Sequence, residues 1–204
     1  ALRNAGRFPY PGLFDGGPTL IASFFVVAAV MRWRGQSWSA MGLRRPQRWW
    51  FIPLWGLLVI VVNVVAQLTV VPLLAGALHA PQPDLSRYDA VVGNLRMFAI
   101  TAAGAMITGG FIEEFIYRGM MVDRIARLFG GGKRGLIAGA LLCGLAFGLV
   151  HFKWGLGGIL VTAVMGSVLG LLYLGTRRNL WPLIAGHAAL DFILLLQVYL
   201  GVLN

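Results

Sequence analysis

Six ionisable side chains lie inside three apolar segments of this 204-residue chain, where charged residues are rarely found. Placing one such side chain near the centre of a bilayer costs roughly 2.5–3.5 kcal/mol, so its presence indicates a function. Carboxylates and imidazoles can act as general bases, stabilise an oxyanion or bind a metal ion. In chain order the six residues are Glu113, Glu114, Arg118, His151, His187 and Asp191.

The first group is the pair Glu113-Glu114, with Arg118 four residues after the second glutamate. On an α-helix, residues four apart share a face, and a glutamate N-terminal to its cation is the favourable order for an ion pair. We therefore expect Glu114 to pair with Arg118. Glu113 points about 100° away from Glu114. It shares a face with Tyr117, so we expect it to face a cavity as the candidate general base.

The other two groups are single histidines with a partner four residues away. Phe147 and His151 share a face at the end of one apolar segment, and His187 shares a face with Asp191 in the last segment. A lone histidine near the end of a segment is typical of an interfacial residue, and a buried histidine–aspartate pair can be a structural contact. Three such groups on three segments together indicate one shared site.

Two chemistries fit these residues. In the first, Glu113 activates a water that attacks a carbonyl, His151 assists or orients that water, and His187 with Asp191 binds the oxyanion or fixes the geometry. In the second, His151, His187 and Glu113 bind Zn²⁺, whose bound water is the nucleophile. The chain has no HExxH sequence, the usual helical zinc motif. We therefore favour the metal-free chemistry, with no cofactor.

The segments that carry these residues have the composition of membrane helices. Hydrophobic residues make up 58% of the chain and charged residues 12%, and the mean hydropathy is +0.78. A soluble domain is about half apolar and a quarter charged, and about 200 residues cannot hide this much apolar surface in one core. We expect an all-α fold: a polytopic transmembrane helical bundle of about six spans, with a catalytic core formed by the last four.

The candidate spans are apolar stretches of near membrane-crossing length. The third is too long for one crossing, because about 32 residues at 1.5 Å each exceed a hydrocarbon core of about 30 Å, so its last two turns should emerge into water. Glycines spaced four apart, as at Gly135 and Gly139, should let neighbouring helices approach closely. The six stretches are Gly17 to Met31, Trp49 to Leu78, Arg96 to about Arg127, Leu136 to Phe152, Gly155 to Thr176, and Leu180 to Leu203.

Positive charge is concentrated in alternate connections between these spans. The net charge is +10, yet the cations form short clusters between apolar runs, which argues against a nucleic-acid partner. Eleven of the 17 Lys and Arg residues lie in the connections after the first, third and fifth spans. The positive-inside bias places these connections in the cytoplasm and both termini on the other side. The eleven are Arg32, Arg34, Arg44, Arg45, Arg48, Arg124, Arg127, Lys133, Arg134, Arg177 and Arg178.

The position of His151 conflicts with the simplest form of this topology. It lies about 17 residues beyond Arg134, near the outer side if the fourth span is straight and starts at the membrane surface. Glu113 and His187 are expected nearer the cytoplasm. A fourth span that is tilted, or that begins in the cytoplasm, would bring His151 to them.

In order, the motifs Glu113-Glu114-x-x-x-Arg118, Phe147-x-x-x-His151 and His187-x-x-x-Asp191 resemble those of the CPBP intramembrane proteases. This family includes the type II CAAX prenyl endopeptidases and relatives linked to bacteriocin processing and self-immunity. The resemblance covers about Arg96 to Leu203. It implies an intramembrane endopeptidase in which Glu113 is the base and His151 acts with it on the water. His187 and Asp191 would complete the site, and Glu114 and Arg118 would support it.

One position departs from the family pattern. The third motif often ends in Asn, which can donate a hydrogen bond to an oxyanion, whereas an ionised Asp191 can only accept one. We therefore expect Asp191 to orient His187 or to be protonated. The family is described both as metal-free and as metal-dependent, so a zinc site stays open on this ground.

The sequence divides into an N-terminal segment with two spans, residues 1–95, and a four-span catalytic core, residues 96–204, within a single integral membrane domain. The expected partners are the lipid bilayer and a membrane-embedded or lipidated protein or peptide substrate. The expected location is a prokaryotic inner (cytoplasmic) membrane. Two alternatives remain: a catalytically silent immunity or scaffold protein on the same bundle, and a proton-coupled transporter. No inverted repeat is evident, which disfavours the transporter.

Overall fold

The computed structural model describes residues 17–46 and 48–203, and these residues form helices, short 3₁₀ turns and loops without a β-strand. Five helices are long and apolar enough to cross a membrane, and a sixth, of 17 residues, precedes them. The expectation of an all-α polytopic bundle is confirmed. The helices are α1 (Gly17–Trp33), α2 (Phe51–Leu78), α3 (Leu95–Leu128), α4 (Gly132–Leu149), α5 (Gly155–Gly175) and α6 (Trp181–Tyr199).

The middle of α3 is not an α-helix. Residues Leu95–Ala105 and Val122–Leu128 are α-helical, but the 16 residues Met106–Met121 between them form a π-helix. This stretch contains both glutamates and Arg118. A π-helix makes i to i+5 hydrogen bonds, is rare, and often occurs at functional sites. The α-helical wheel used to place Glu113 and Glu114 therefore does not describe this part of the chain.

The end of α3 forms an antiparallel hairpin with α4. Two glycines of α4 allow the contact: a Cβ on Gly135 or Gly139 would lie 2.6 Å from the carbonyl oxygen of Ala126 or Val122, respectively. Val122 and Ala126 are buried, so one side of the last two turns of α3 packs against α4. The close approach predicted from the glycine spacing is thus found in this hairpin.

The register of this hairpin places His151 near the level of Glu113. Gly135 lies beside Ala126, and Gly139 lies beside Val122. Moving one residue forward along α4 therefore corresponds to moving one residue back along α3. Further along, the rings of Tyr117 and Phe147 are 5.1 Å apart. Helix α4 therefore begins beside the final turns of α3 and reaches only the middle of that long helix.

Helices α1, α2, α5 and α6 surround this hairpin. A Cβ on Gly166 of α5 would lie 2.9 Å from the Cα of Gly144, so α4 and α5 nearly touch along their backbones. Gly186 of α6 has no room for a side chain against Val59 of α2. Phe24 of α1 makes ring contacts with several aromatic residues, Phe111 and Phe115 of α3 among them. A buried cluster fills the space between these helices and includes Met31, Val59, Phe115, Leu169, Tyr173, Leu180 and Leu183.

Candidate active site

His187 lies at the centre of the polar residues, with carboxylates on both sides of its ring. Its Nδ1 atom is 2.7 Å from Oε1 of Glu114, and its Nε2 atom is 4.0 Å from Oε2 of Glu113 and 3.6 Å from Oδ1 of Asp191. Because a carboxylate oxygen accepts, Nδ1 of His187 donates to Glu114. The ring is thus held at one nitrogen and presents the other to two carboxylates.

Both glutamates therefore face the same imidazole. The expectation that Glu114 pairs with Arg118 is met, since Nη1 of Arg118 is 2.7 Å from Oε1 of Glu114. The expectation that Glu113 points into separate surroundings is wrong in part. It lines a cavity, but it also approaches the ring that Glu114 holds. The wider turn of the π-helix explains why adjacent residues can reach opposite sides of one side chain.

Arg118 and Glu114 form a fully buried ion pair, with no exposed side-chain surface. Burying two charges is costly unless additional hydrogen bonds satisfy their remaining donors and acceptors. Arg118 donates through Nη2 to the carbonyl oxygen of Gly166, at 2.9 Å, and its guanidinium lies 5.0 Å from the centre of the Phe147 ring. The pair thus fixes one end of His187 and connects α3 to α4, α5 and α6.

Phe147 packs against both imidazoles. Its ring centre is 4.8 Å from that of His151 and 6.0 Å from that of His187. The ring of Tyr117 stands perpendicular to it. Phe147 is buried in α4, so its packing sets the distance between the two histidines that line the cavity.

His151 follows the end of α4, and its Nδ1 atom is 2.8 Å from the carbonyl oxygen of Phe147. A carbonyl only accepts, so Nδ1 carries the hydrogen and Nε2 is the nitrogen that can accept from water. Burial lowers the pKa of His151 below its usual value of 6.5, against the opposing effect of the Phe147 hydrogen bond. Burial therefore favours the neutral form of this ring.

A cavity of about 540 Å³ joins these residues. The side chains of Glu113 and Asp191 are 12% and 21% exposed, whereas that of Glu114 is fully buried. The cavity is therefore bordered by the two carboxylates that face Nε2 of His187. Its wall includes Glu113, Tyr117, Phe147, His151, His187 and Asp191, together with residues of α1, α5 and the segment before α3.

Gly109 is a site residue that the sequence reasoning missed. A Cβ at this position would collide with Oδ2 of Asp191, and one at Gly110 would lie 2.7 Å from the Cβ of Ala188. The two glycines let α6 come close enough for Asp191 and His187 to reach the π-helix. The sequence signal was the Gly109-Gly110 pair four residues before the glutamates.

The residues proposed as zinc ligands do not surround a common point. A zinc site requires His151, His187 and Glu113 at about 2.0–2.2 Å from one ion. Within residues 17–46 and 48–203, no three His, Cys, Asp or Glu side chains are arranged to hold a metal ion. The positions of these side chains, as folded, therefore do not form a zinc site.

Comparison with known proteins identifies part of the chain. Residues 94–193 match the family model described as Type II CAAX prenyl endopeptidase Rce1-like. No curated protein and no solved structure gives a significant match to the chain. The match begins just before α3 and ends two residues after Asp191, so it contains all three motifs. The resemblance to the CPBP and CAAX proteases is thereby confirmed for residues 94–193, which match the Rce1-like model of type II CAAX prenyl endopeptidases, and the match supports the fold of an intramembrane endopeptidase.

Proposed function

We propose that this chain hydrolyses a peptide bond in a membrane-anchored or lipidated protein or peptide, with Glu113 as the general base. The observation that carries the proposal is the position of Glu113. Its carboxylate borders the cavity and faces Nε2 of a histidine whose other nitrogen is fixed by a buried ion pair. A base and an orienting group that converge on one cavity are the arrangement that hydrolysis of a carbonyl compound requires.

In the proposed reaction, Glu113 accepts a proton from water as the water oxygen attacks the carbonyl carbon of the substrate. The carbonyl oxygen becomes an oxyanion. In its doubly protonated form, His187 donates from Nδ1 to Glu114 and offers the hydrogen on Nε2 to that oxyanion. When the carbon–nitrogen bond breaks, the oxyanion returns to a carbonyl and Glu113 gives the proton to the leaving amine. The products are an amine and a carboxylic acid, which ionises by transferring its remaining proton to the amine or to water.

His151 also lines the cavity and acts on the water. Its Nδ1 hydrogen is used by Phe147, so its Nε2 can accept a hydrogen bond from the attacking water and orient it. Glu114 and Arg118 are positioning residues, because they reach the reaction only through His187. Asp191, near the same nitrogen, keeps the His187 ring from rotating. No step requires a metal.

The nature of the cavity supports a peptide that remains attached to the membrane. Glu113, His187 and Asp191 lie within helices long and apolar enough to span the bilayer, and His151 follows the end of another such helix. A soluble protein domain cannot enter such a site, but an extended segment next to a lipid or helical anchor can. The substrate class is therefore a membrane-associated protein or peptide that is cleaved close to its anchor.

The test compares membrane proteins from cells that express the full chain with those from cells that express Glu113→Ala. Mass spectrometry of protein termini should find new termini near membrane anchors only with the wild-type chain. Asp89→Asn, which removes an exposed carboxylate outside the cavity, is the matched control and should cleave normally. If the same new protein termini appeared with Glu113→Ala as with the wild-type chain, the proposal would be rejected. Capture of a partner without any product would support the silent scaffold instead.

A further inference from the structure

The loops of this protein form two distinct faces, one at each end of the bundle. On the first, the backbone N–H of Leu180 donates to the carbonyl of Gly42, and Arg178 pairs with Asp123 at 2.8 Å. These contacts bring together the connections after α1 and α5 and the end of α3. We call this the arginine-rich face, because the eleven clustered cations of the sequence analysis lie in or beside its connections.

The second face is built from the segment before α3, the turn after α4 and the end of α6. The backbone N–H of Asp84 donates to the carbonyl of Trp154, and that of Gly93 donates to the carbonyl of Tyr199. Among the described residues, the cations of this opposite face are Arg87, Arg96 and Lys153, and they are accompanied by Asp84 and Asp89.

In the part of the chain that the structure describes, the catalytic cavity extends towards the opposite face. From Glu113 and His187, its lining continues to Arg87, Lys153 and Trp154. Within the described part of the chain, none of the lining residues belongs to the connections of the arginine-rich face.

Buried residues close the other end of the site. Arg118 and Phe115 have no exposed surface, and Tyr173 and Leu180 pack in the cluster between them and the arginine-rich face. A Cβ on Gly119 would lie 2.5 Å from the carbonyl oxygen of Met41, so α3 packs closely against the connection after α1 at this point. A peptide cannot reach His187 from this side without disrupting the core.

Within residues 17–46 and 48–203, eleven cations lie on one face and three on the other, and positive charge near span ends marks the cytoplasmic side. We infer that the catalytic cavity opens away from the cytoplasm, so that the substrates are membrane-anchored chains whose cleavable segment lies on the extracytoplasmic side. A lipidated tail presented in the cytoplasm would meet the closed face. The substrate part of this inference rests on the proposed endopeptidase function, whereas the direction of opening does not.

Thiol labelling tests the direction of opening, and the native chain suits this method because its one cysteine, Cys143, is buried. The probe is a small, membrane-impermeant methanethiosulfonate cation added to intact cells that express the full chain. The two lysines give a matched pair of exposed positions, with Lys153 on the opposite face and Lys133 on the arginine-rich face. Thr108 and Ser23 line the cavity and provide two independent reporters inside it.

We expect Lys153→Cys, Thr108→Cys and Ser23→Cys to be modified in intact cells, and Lys133→Cys only after permeabilisation. Modification of both cavity cysteines only from the cytoplasmic side would overturn the inference. The inference would also be overturned if neither cavity cysteine were modified from either side, because the cavity would then not open outward. Neither result would affect the endopeptidase proposal, since purified protein could still cleave.

The substrate class is tested separately by locating the protein termini that depend on Glu113. Termini that disappear in the Glu113→Ala strain should map to extracytoplasmic segments beside an anchor. Termini on the cytoplasmic side would overturn the assigned substrate class. Identical termini in the two strains would overturn the endopeptidase function and the substrate class with it, while the labelling result would still report the direction of opening.

Discussion

Nδ1 of His187 lies 2.7 Å from Oε1 of Glu114, the same oxygen that accepts from Arg118. One carboxylate oxygen thus connects a buried cation to the imidazole that faces the cavity. The residue next to it, Glu113, approaches the other nitrogen of that ring. The two adjacent glutamates therefore have different roles in this account: Glu114 positions the histidine, and Glu113 reacts.

Removing the cation of the buried pair should destabilise the protein. In Arg118→Met, the carboxylate of Glu114 stays buried without its partner, which costs about 3–5 kcal/mol. Thermal unfolding in detergent or nanodiscs measures the effect. Arg127→Ala removes an exposed arginine from the same helix and should change the stability by no more than about 0.5 kcal/mol. Equal stability of the two variants would show that Arg118 does not hold the site.

Replacing Glu114 should impair catalysis more than substrate binding. Glu114→Gln keeps the shape of the side chain but loses its charge, so the Nδ1 hydrogen bond weakens and the ring of His187 is less fixed. Misplacement of a catalytic group by about 1 Å can cost about 10²-fold. We expect kcat to fall by about this factor with little change in KM. A change confined to KM would place Glu114 at the substrate and not behind His187.

These contacts show what the sequence could and could not provide. The spacing of four residues predicted the pairing of Glu114 with Arg118, and the apolar segments predicted the bundle, because both are local patterns. The π-helix was not predictable, since no residue pattern distinguishes it from an α-helix. Because an α-helix was assumed, the helical wheel placed the two glutamates about 100° apart, whereas in the structure both approach His187.

The position of His151 could not be read from the sequence for a different reason. Its depth depends on where α4 begins relative to α3, and the close packing of Gly135 and Gly139 sets that register. The glycine spacing predicted a close contact but not its partner helix. The role of Phe147 as a platform for both histidines depends on the same register and on the approach of α6.

Adding one methyl group at Gly109 should reduce activity while the protein still folds. In Gly109→Ala the new Cβ displaces the carboxylate of Asp191 and, through it, disturbs His187. We expect kcat/KM to fall by at least tenfold. Gly76→Ala is the matched control, because nothing lies near its Cβ and alanine favours a helix by about 0.5–1 kcal/mol. Full activity of Gly109→Ala would exclude a role for the Asp191 position.

Acid should destabilise the protein through His151. Its pKa in the folded protein is lowered by burial, whereas the unfolded chain has the usual value of 6.5. As the pH falls below about 6.5, the unfolded state binds more protons than the folded state, so stability is lost towards the lowered pKa and is fully present above 6.5. The unfolding temperature of wild type should drop more between pH 7.5 and 5.5 than that of His151→Gln. His79→Gln, at an exposed histidine, should behave like wild type. If His151→Gln also behaves like wild type, burial of this ring is not linked to stability.

The most direct measurement uses the purified full chain in nanodiscs, with membrane proteins as substrate, in water enriched in ¹⁸O. Mass spectrometry then reads the isotope in each new C-terminal carboxyl group. We predict one ¹⁸O atom per new terminus with wild type, and a rate of terminus formation lower by about 10²–10⁴-fold with Glu113→Gln, the range for loss of a general base. New termini formed at the wild-type rate by Glu113→Gln, or no new termini with the wild-type chain, would contradict the account.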